Sequence, residues 1–165
     1  MPSSGAALQL VSDVGRANMG LTLDIGHCLM AGENPAQSVA MVGKAGKLFG
    51  VQLNDGHAKL GAEDGLMFGS VHGNMALDFI RWLQKTGYDG HLYFDTFPRN
   101  EDPVREAAYN IRRVKALWAE AARLTASGIE DNIRAHDAMG SLELMESLAA
   151  SRCTDDDAAP QKKAP

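Results

Sequence analysis

Short apolar segments alternate with longer amphipathic segments along most of this chain, and this alternation limits the folds that are open to it. The segments at residues 21–27 (LTLDIGH), 48–54 (LFGVQLN) and 92–97 (LYFDTF) have the length and composition of buried strands. Apolar residues at helical spacing predict helices between the strands and after the last one. Strands that are joined by crossover helices must run parallel. The sequence therefore predicts an α/β fold with a parallel sheet of about three strands.

Three of the predicted helices have clear starting signals. Asn34 with Pro35 is expected to open a helix over about residues 36–45. Asn74 is expected to cap a helix over residues 75–86, and Asp102 with Pro103 is expected to open a longer helix that ends near residue 124. The apolar residues of the longer helix recur at helical spacing and are expected to face the core. They are Ala107, Ile111, Val114 and Trp118.

Polar side chains occur where each predicted strand ends and in the long polar loop at residues 55–73. The carboxyl ends of parallel strands meet at one edge of a sheet, where α/β proteins place their active sites. Carboxylate, amide and imidazole ligands suit a divalent metal ion, so we expect a metal site at this edge. The alternative for the first strand is structural, with its carboxylate capping the next loop and its imidazole bonded to backbone. The residues expected at this edge are Asp24, His27, Gln52, Glu63, Asp64 and Asp95.

Composition argues against several classes of function. The 165 residues carry a net charge of −5, and the scattered basic residues argue against a nucleic-acid partner. No apolar run approaches the length of a membrane span, and the first residues lack a secretory pattern. We therefore expect a cytoplasmic protein without a membrane partner. Cys28 and Cys153 lie far apart in the sequence and are expected to be free thiols.

Changes in composition divide the chain into three predicted regions. Residues 1–127 form the main domain, and residues 128–150 form an extension of one or two short amphipathic helices. Residues 151–165 are polar and are expected to be a disordered tail. His136 lies in the extension and is expected to be a surface residue.

A series of motifs between residues 20 and 124 resembles a known family. In chain order they read DIGH, MAGEN, KLFGVQLND, GLMFG, GYDGHLYFD and A-x-Y-N-I-R-R. Their order and spacing resemble the C-terminal half of the xylose isomerase-like TIM barrels, in particular the sugar isomerases of the rhamnose and xylose isomerase type. The resemblance implies a partial (β/α)8 TIM barrel, of which this chain holds about three strands with crossover helices, plus a C-terminal helical extension.

The resemblance also implies two divalent ions at the barrel mouth, drawn from Mn²⁺, Mg²⁺, Co²⁺ or Zn²⁺. Asp24 would be the ligand that bridges both ions. The other implied ligands are Asp95 and Gln52 for the first ion, and His27 with Glu63 or Asp64 for the second.

This sequence departs from the family pattern at two of those ligands. Gln52 stands where xylose isomerases carry an aspartate, so the amide oxygen would coordinate with less charge. The family also places two aspartates, one residue apart, before its L-x-F-G segment. Here that stretch reads Glu63-Asp64-Gly65, so one carboxylate is out of register.

The activity implied by the resemblance is aldose–ketose isomerisation of a small sugar. Asp24 and Asp95 would take part in catalysis as metal ligands. His57 and Lys59 would contact the sugar or the metal-bound water, although a structural role is the simpler expectation for both. Family analogy also implies a homo-oligomer for the complete enzyme.

Two alternative functions stay open from the sequence. A ketose 3-epimerase on the same barrel uses a glutamate on the last strand, where this chain has the shorter Asp95. The chain could also be a non-catalytic truncated remnant that binds metal weakly or only packs against another protein. A phosphodiesterase of the endonuclease IV type would need more histidines and a basic face.

The resemblance covers only part of a complete barrel, which takes about 250 residues and eight strands. The predicted first helical segment, at residues 6–14, begins almost at the start of the chain. We therefore expect the chain to be the C-terminal portion of a longer enzyme and to show no turnover by itself.

Overall fold

The computed structural model describes residues 3–60 and 63–157 of the chain, with residues 151–157 described by their backbone alone. The chain divides into two compact units, residues 1–121 and residues 122–165. The helices, in chain order, are α1 (Ser4–Val14), α2 (Ile25–Met30), α3 (Pro35–Lys44), α4 (Gly73–Thr86), α5 (Pro103–Ala126), α6 (Ile129–Arg134) and α7 (Ala138–Asp157).

A three-stranded parallel sheet lies in the first unit. Its strands are β1 (Leu21–Asp24), β2 (Leu48–Leu53) and β3 (Leu92–Phe94), in the order β1-β2-β3. The register aligns Asp24 with Gln52, so the carboxyl ends of the first two strands meet at the same edge. The α/β class and the parallel sheet predicted from the sequence are confirmed.

The first strand is shorter than predicted, and a helix follows it without a glycine turn. β1 ends at Asp24, and Gly26 and His27 lie in the first turn of α2. The Asp24 side chain accepts the backbone N–H of His27 and thereby caps α2. Because this cap satisfies a donor at the helix start, the backbone turns into a helix directly at the strand exit.

Helices α3 and α4 pack against one another and enclose much of the core. Asn34 caps α3 by accepting the N–H groups of Ala36 and Gln37, as its Asn-Pro start suggests. The buried apolar side chains of α3 and α4 lie at helical spacing, and each stabilises the fold by about 1.5–3 kcal/mol relative to its exposed state. They include Val39, Val42, Leu77, Phe79, Ile80 and Leu83.

Helix α5 buries a different face from the one that its apolar residues predicted. Ile111 is 46% exposed and Trp118 is 36% exposed. The buried face carries polar residues as well as apolar ones, because Asn110 accepts the backbone N–H of Phe68 at 3.0 Å. Its members are Glu106, Asn110, Leu117, Ala121 and Leu124.

The loop between β2 and α4 is anchored by the fully buried carboxylate of Asp55. This carboxylate accepts the backbone N–H groups of Val71 and His72 at 2.9 Å each, and it contacts His72 Nδ1 at 2.8 Å. The loop therefore ends at His72, and α4 begins at Gly73. The prediction that Asn74 caps this helix is wrong, since Asn74 lies inside it.

The second unit contains the end of α5 together with α6 and α7. Helix α7 continues to Asp157 and so includes the start of the expected tail, while residues 158–165 lie outside the described part. The proposed division at residues 127 and 150 stays a prediction. Cys28 is a buried free thiol as expected, and the Cys153 side chain lies outside the described residues. Along the described ranges, no helix has the length and apolarity needed to cross a membrane.

Candidate metal centre

Asp24 is a buried carboxylate at the carboxyl end of β1, and one of its oxygens lacks a hydrogen-bond partner. Oδ1 accepts the N–H of His27 at 3.1 Å and the side-chain amide of Asn54 at 3.2 Å. Oδ2 is buried and has no hydrogen bond to any described residue. Burial raises the pKa of this carboxyl above its ordinary value, because the charged form is desolvated. A cation next to Oδ2 would relieve both effects.

His27 and Glu63 complete a cluster around that carboxylate. One ligand atom from each of Asp24, His27 and Glu63 lies within 4.8 Å of the other two. His27 Nε2 is 3.4 Å from Glu63 Oε2. Burial and the nearby charge of Asp24 both raise the pKa of Glu63. The two carboxylates therefore converge with little compensating positive charge.

This donor set fits a divalent ion. Ligands at bond lengths of about 2.1 Å on opposite sides of an ion lie roughly 4.2 Å apart, close to the separation in this cluster. Two carboxylate oxygens with one imidazole nitrogen are acceptable to Mn²⁺, Mg²⁺, Co²⁺ and Zn²⁺. The His27 side chain is 57% exposed, so the cluster is open to solvent on that side.

Gln52 and Asp95 lie beside this cluster and engage each other. Gln52 Nε2 donates to Asp95 Oδ2 at 3.1 Å. Asp95 follows β3, and its backbone N–H donates to the Leu53 carbonyl, which continues the sheet by one residue. The charge of Asp95 contributes to the raised pKa of both Asp24 and Glu63. The expected strand-exit carboxylates are therefore near neighbours.

Asp64, His57 and Lys59 are placed elsewhere. Asp64 Oδ2 accepts the backbone N–H of His57 at 2.7 Å and lies 3.1 Å from His57 Nδ1. These hydrogen bonds lower the pKa of Asp64. The His57 side chain is 72% exposed, and Lys59 is exposed as well. Of the two adjacent acids in this loop, the structure brings Glu63 to the cluster and leaves Asp64 outside it.

Comparison with known proteins identifies the family. The family model described as "Xylose isomerase-like TIM barrel" matches residues 2–124. The chain belongs to this family. The three-stranded parallel sheet with its helices is accordingly part of such a barrel.

Two xylose isomerases illustrate how far the similarity extends. The enzyme of Streptomyces lividans is 29% identical over 153 residues, which are 92% of this chain and 36% of the enzyme. The enzyme of Thermus thermophilus is 35% identical over 100 residues, which are 59% of this chain and 26% of the enzyme. The chain therefore spans about a third of the length of the first of these relatives and about a quarter of the second.

Asn54 is a residue of the site that was not predicted from the sequence. Asn54 is fully buried directly after β2, and its amide nitrogen donates to Asp24 Oδ1 at 3.2 Å and to Glu63 Oε1 at 3.1 Å. Its carbonyl oxygen accepts the Gly26 N–H at 2.6 Å. The signal was available, because Asn54 is the polar residue at the exit of a buried strand.

Two small cavities adjoin the cluster. One of about 240 Å³ is lined by Asp24, His27 and Gln52 among others. The other, of about 260 Å³, is lined by Glu63 together with Asp64 and Phe97. A larger cavity of about 550 Å³ along the start of α5 includes none of these residues. The cluster therefore borders on space in which a small polar ligand fits.

Proposed function

We propose that this chain contributes part of the active site of a metal-dependent aldose–ketose sugar isomerase, in which Asp24, His27 and Glu63 hold a divalent cation. The observation that carries the proposal is the Asp24 carboxylate, whose buried Oδ2 has no hydrogen-bond donor in the described part of the chain and which clusters with ligand atoms of His27 and Glu63. The names of the two relatives support a sugar as substrate.

The bound ion would polarise a sugar oxygen and lower the pKa of a bound water. Asp24 and Glu63 supply the negative charge that attracts the ion, and burial, with a smaller contribution from neighbouring carboxylates, raises the pKa of both groups. His27 uses its Nε2 lone pair, which requires the neutral ring with its proton on Nδ1.

Gln52 and Asp95 are the residues that we propose for a second ion, with Asp24 as the shared ligand. Gln52 now directs its Nε2 at Asp95, so its oxygen points elsewhere. To bind this ion through its oxygen, the Gln52 amide would have to rotate, which would break its hydrogen bond to Asp95 and place Oε1 next to the Asp95 carboxylate. Both groups are acceptors only, so this arrangement is favourable only when a cation lies between them. We therefore expect the second ion to bind more weakly than the first.

A titration with Mn²⁺ tests the metal site. The matched variants are Asp24→Asn, which keeps the shape of the side chain, and Asp89→Asn, which changes an exposed carboxylate at the opposite edge of the sheet. We expect wild type and Asp89→Asn to bind Mn²⁺ equally in isothermal titration calorimetry, and Asp24→Asn to bind at least tenfold more weakly. Equal affinity of all three proteins would overturn the proposal.

The sugar specificity is tested by the electron paramagnetic resonance spectrum of the bound Mn²⁺. We expect xylose, rhamnose or an open-chain polyol to change the spectrum of wild type, because hydroxyl oxygens replace water on the ion. A spectrum that no sugar changes would refute the isomerase assignment, although the proposed metal site would still stand. In a ketose assay of the chain alone we expect no turnover, since it spans about a third of a relative.

A further inference from the structure

Asn54 connects the two carboxylates of the cluster through a single amide group. The two hydrogens of Nδ2 go to different acceptors, one to Asp24 Oδ1 and one to Glu63 Oε1. An amide nitrogen has only two hydrogens, so its donor capacity is fully used. The Asn54 amide therefore fixes the distance between the two carboxylates.

The amide itself is fixed from the other side. Asn54 Oδ1 accepts the Gly26 N–H at 2.6 Å, and the side chain is fully buried. Rotation of the amide would break three hydrogen bonds at once and leave buried polar groups unsatisfied. The contact with Gly26 also ties the amide to the first turn of α2, which carries His27.

Gly26 leaves the space that this arrangement requires. A Cβ atom at position 26 would lie 3.0 Å from Asn54 Nδ2 and 3.0 Å from Glu63 Oε1. The Glu63 side chain can therefore pack against the Gly26 backbone only because position 26 has no side chain.

We propose that Asn54 is a positioning residue that holds the carboxylates of Asp24 and Glu63 in the arrangement that binds a divalent cation. The inference rests on the proposed metal site, and it assigns to Asn54 no contact with the ion. Without the amide, two like charges would face each other with no shared donor, and Glu63, which lies in a loop, would turn away. In metal sites, partners that orient the ligands typically contribute 10–100-fold in metal affinity.

Asn110 offers a matched control in the same unit. It is as fully buried as Asn54, its Oδ1 accepts the backbone N–H of Phe68 at 3.0 Å, and its Nδ2 donates to Glu106 Oε1 at 3.0 Å. Asn110 thus has the same kinds of partner, but its carboxylate belongs to α5 and not to the cluster. Loss of either amide should reduce the free energy of unfolding, whereas only the loss of the Asn54 amide should change metal binding.

The experiment compares Mn²⁺ affinity in wild type, Asn54→Ala, Asn110→Ala and Asp24→Asn by calorimetry. We expect Asn54→Ala to weaken binding 10–100-fold and Asn110→Ala to leave it unchanged. If Asn54→Ala binds as wild type does while Asp24→Asn does not, the positioning role is refuted and the metal site stands. If wild type itself binds no Mn²⁺, both proposals fail.

A second measurement needs no variant and so does not depend on the folding of one. In metal-free wild type, we expect the side-chain amide protons of Asn54 to exchange with solvent far more slowly than those of the exposed Asn18. Addition of Mg²⁺ should shift the Asn54 amide signals in nuclear magnetic resonance spectra and leave the Asn110 signals in place. Fast exchange at Asn54, or equal shifts at both asparagines, would overturn the inference.

Discussion

Replacing Asp24 by asparagine should stabilise the metal-free protein while it removes metal binding. In the wild type, Asp24 Oδ2 is a buried acceptor with no donor among the described residues, and the carboxylate faces the second acid, Glu63. The isosteric amide of Asp24→Asn removes the charge and keeps an oxygen for the N–H of His27. The variant therefore separates the metal-binding role of Asp24 from its role as the helix cap of α2.

The size of the effect follows from the unsatisfied oxygen. Leaving one buried polar group without a partner costs about 1–3 kcal/mol. We expect Asp24→Asn to recover about 1–2 kcal/mol in the free energy of unfolding, because its new N–H groups reach an acceptor in the cluster. For a chain of this length, that gain raises the melting temperature by about 2–8 °C. Mn²⁺ at a hundred times its Kd should stabilise the wild type by about 2.7 kcal/mol.

Thermal unfolding followed by circular dichroism checks this expectation, with EDTA in one series and Mn²⁺ in the other. In EDTA, Asp24→Asn should melt at a higher temperature than the wild type, and in Mn²⁺ the order should reverse. The Asp89→Asn control should follow the wild type in both series. A variant that is less stable than wild type in EDTA would refute the reasoning, since it would mean that the Asp24 carboxylate is well satisfied without metal.

The pH dependence has a defined sign. Because burial raises the pKa of Asp24 above its ordinary value of 3.8, the folded chain binds this proton more tightly than the unfolded chain does. The contribution of Asp24 to stability is therefore greatest below pH 3.8 and is lost as the pH rises through the raised pKa. Glu63 acts in the same direction from its ordinary value of 4.5. Metal-free Asp24→Asn should lack the Asp24 part of this loss.

Three further substitutions probe the surroundings of the site. Gly26→Ala should weaken Mn²⁺ binding about tenfold in calorimetry, because its Cβ would displace Glu63; unchanged affinity would show that Glu63 is not needed. Asp64→Asn should leave Mn²⁺ affinity within twofold, since its partner is His57; a large loss would return Asp64 to the ligand set. Phe68→Ala should reduce the free energy of unfolding in urea by about 3–5 kcal/mol, because Phe68 is fully buried and packs edge-on against Phe79; a loss below about 1 kcal/mol would contradict this packing.

The sheet could be predicted from the sequence because strand signals are local. Apolar runs that end at a polar residue located all three strands, and the helices predicted between them indicated that the strands run parallel. The end of β1 could not be predicted in this way, since Gly26 suggested a turn. In the structure, Asp24 caps a helix at this point instead. A helix cap depends on a hydrogen bond between particular residues, which hydrophobic periodicity does not indicate.

The buried face of α5 shows a different limit of pattern reading. The apolar residues Ile111 and Trp118 indicated one face, but the helix buries the face of Glu106 and Asn110. These polar side chains are buried because the loop before α4 has a backbone donor, the Phe68 N–H, that needs an acceptor. Hydrophobic spacing carries no information on such a long-range hydrogen bond.

The residues of the site could likewise be predicted only in part from the sequence. Strand exits predicted the neighbourhood of Asp24 and Asp95, because parallel topology alone brings those ends together. Topology could not choose between Glu63 and Asp64, which are adjacent in a loop. Their environments separate them, with His57 engaging one and Asn54 the other.

The electrostatics of the cluster favour a binding role over a structural one. Burial raises the pKa of Asp24 and of Glu63, the nearby charge of Asp95 adds to both shifts, and the imidazole of His27 is largely exposed. Such a grouping opposes folding in the absence of a cation, because like charges are gathered where solvent is partly excluded. The buried amide of Asn54 donates to both Asp24 and Glu63 and so holds these two carboxylates close to each other. An arrangement that holds repelling groups in place at the expense of stability is understandable if a divalent ion binds between them.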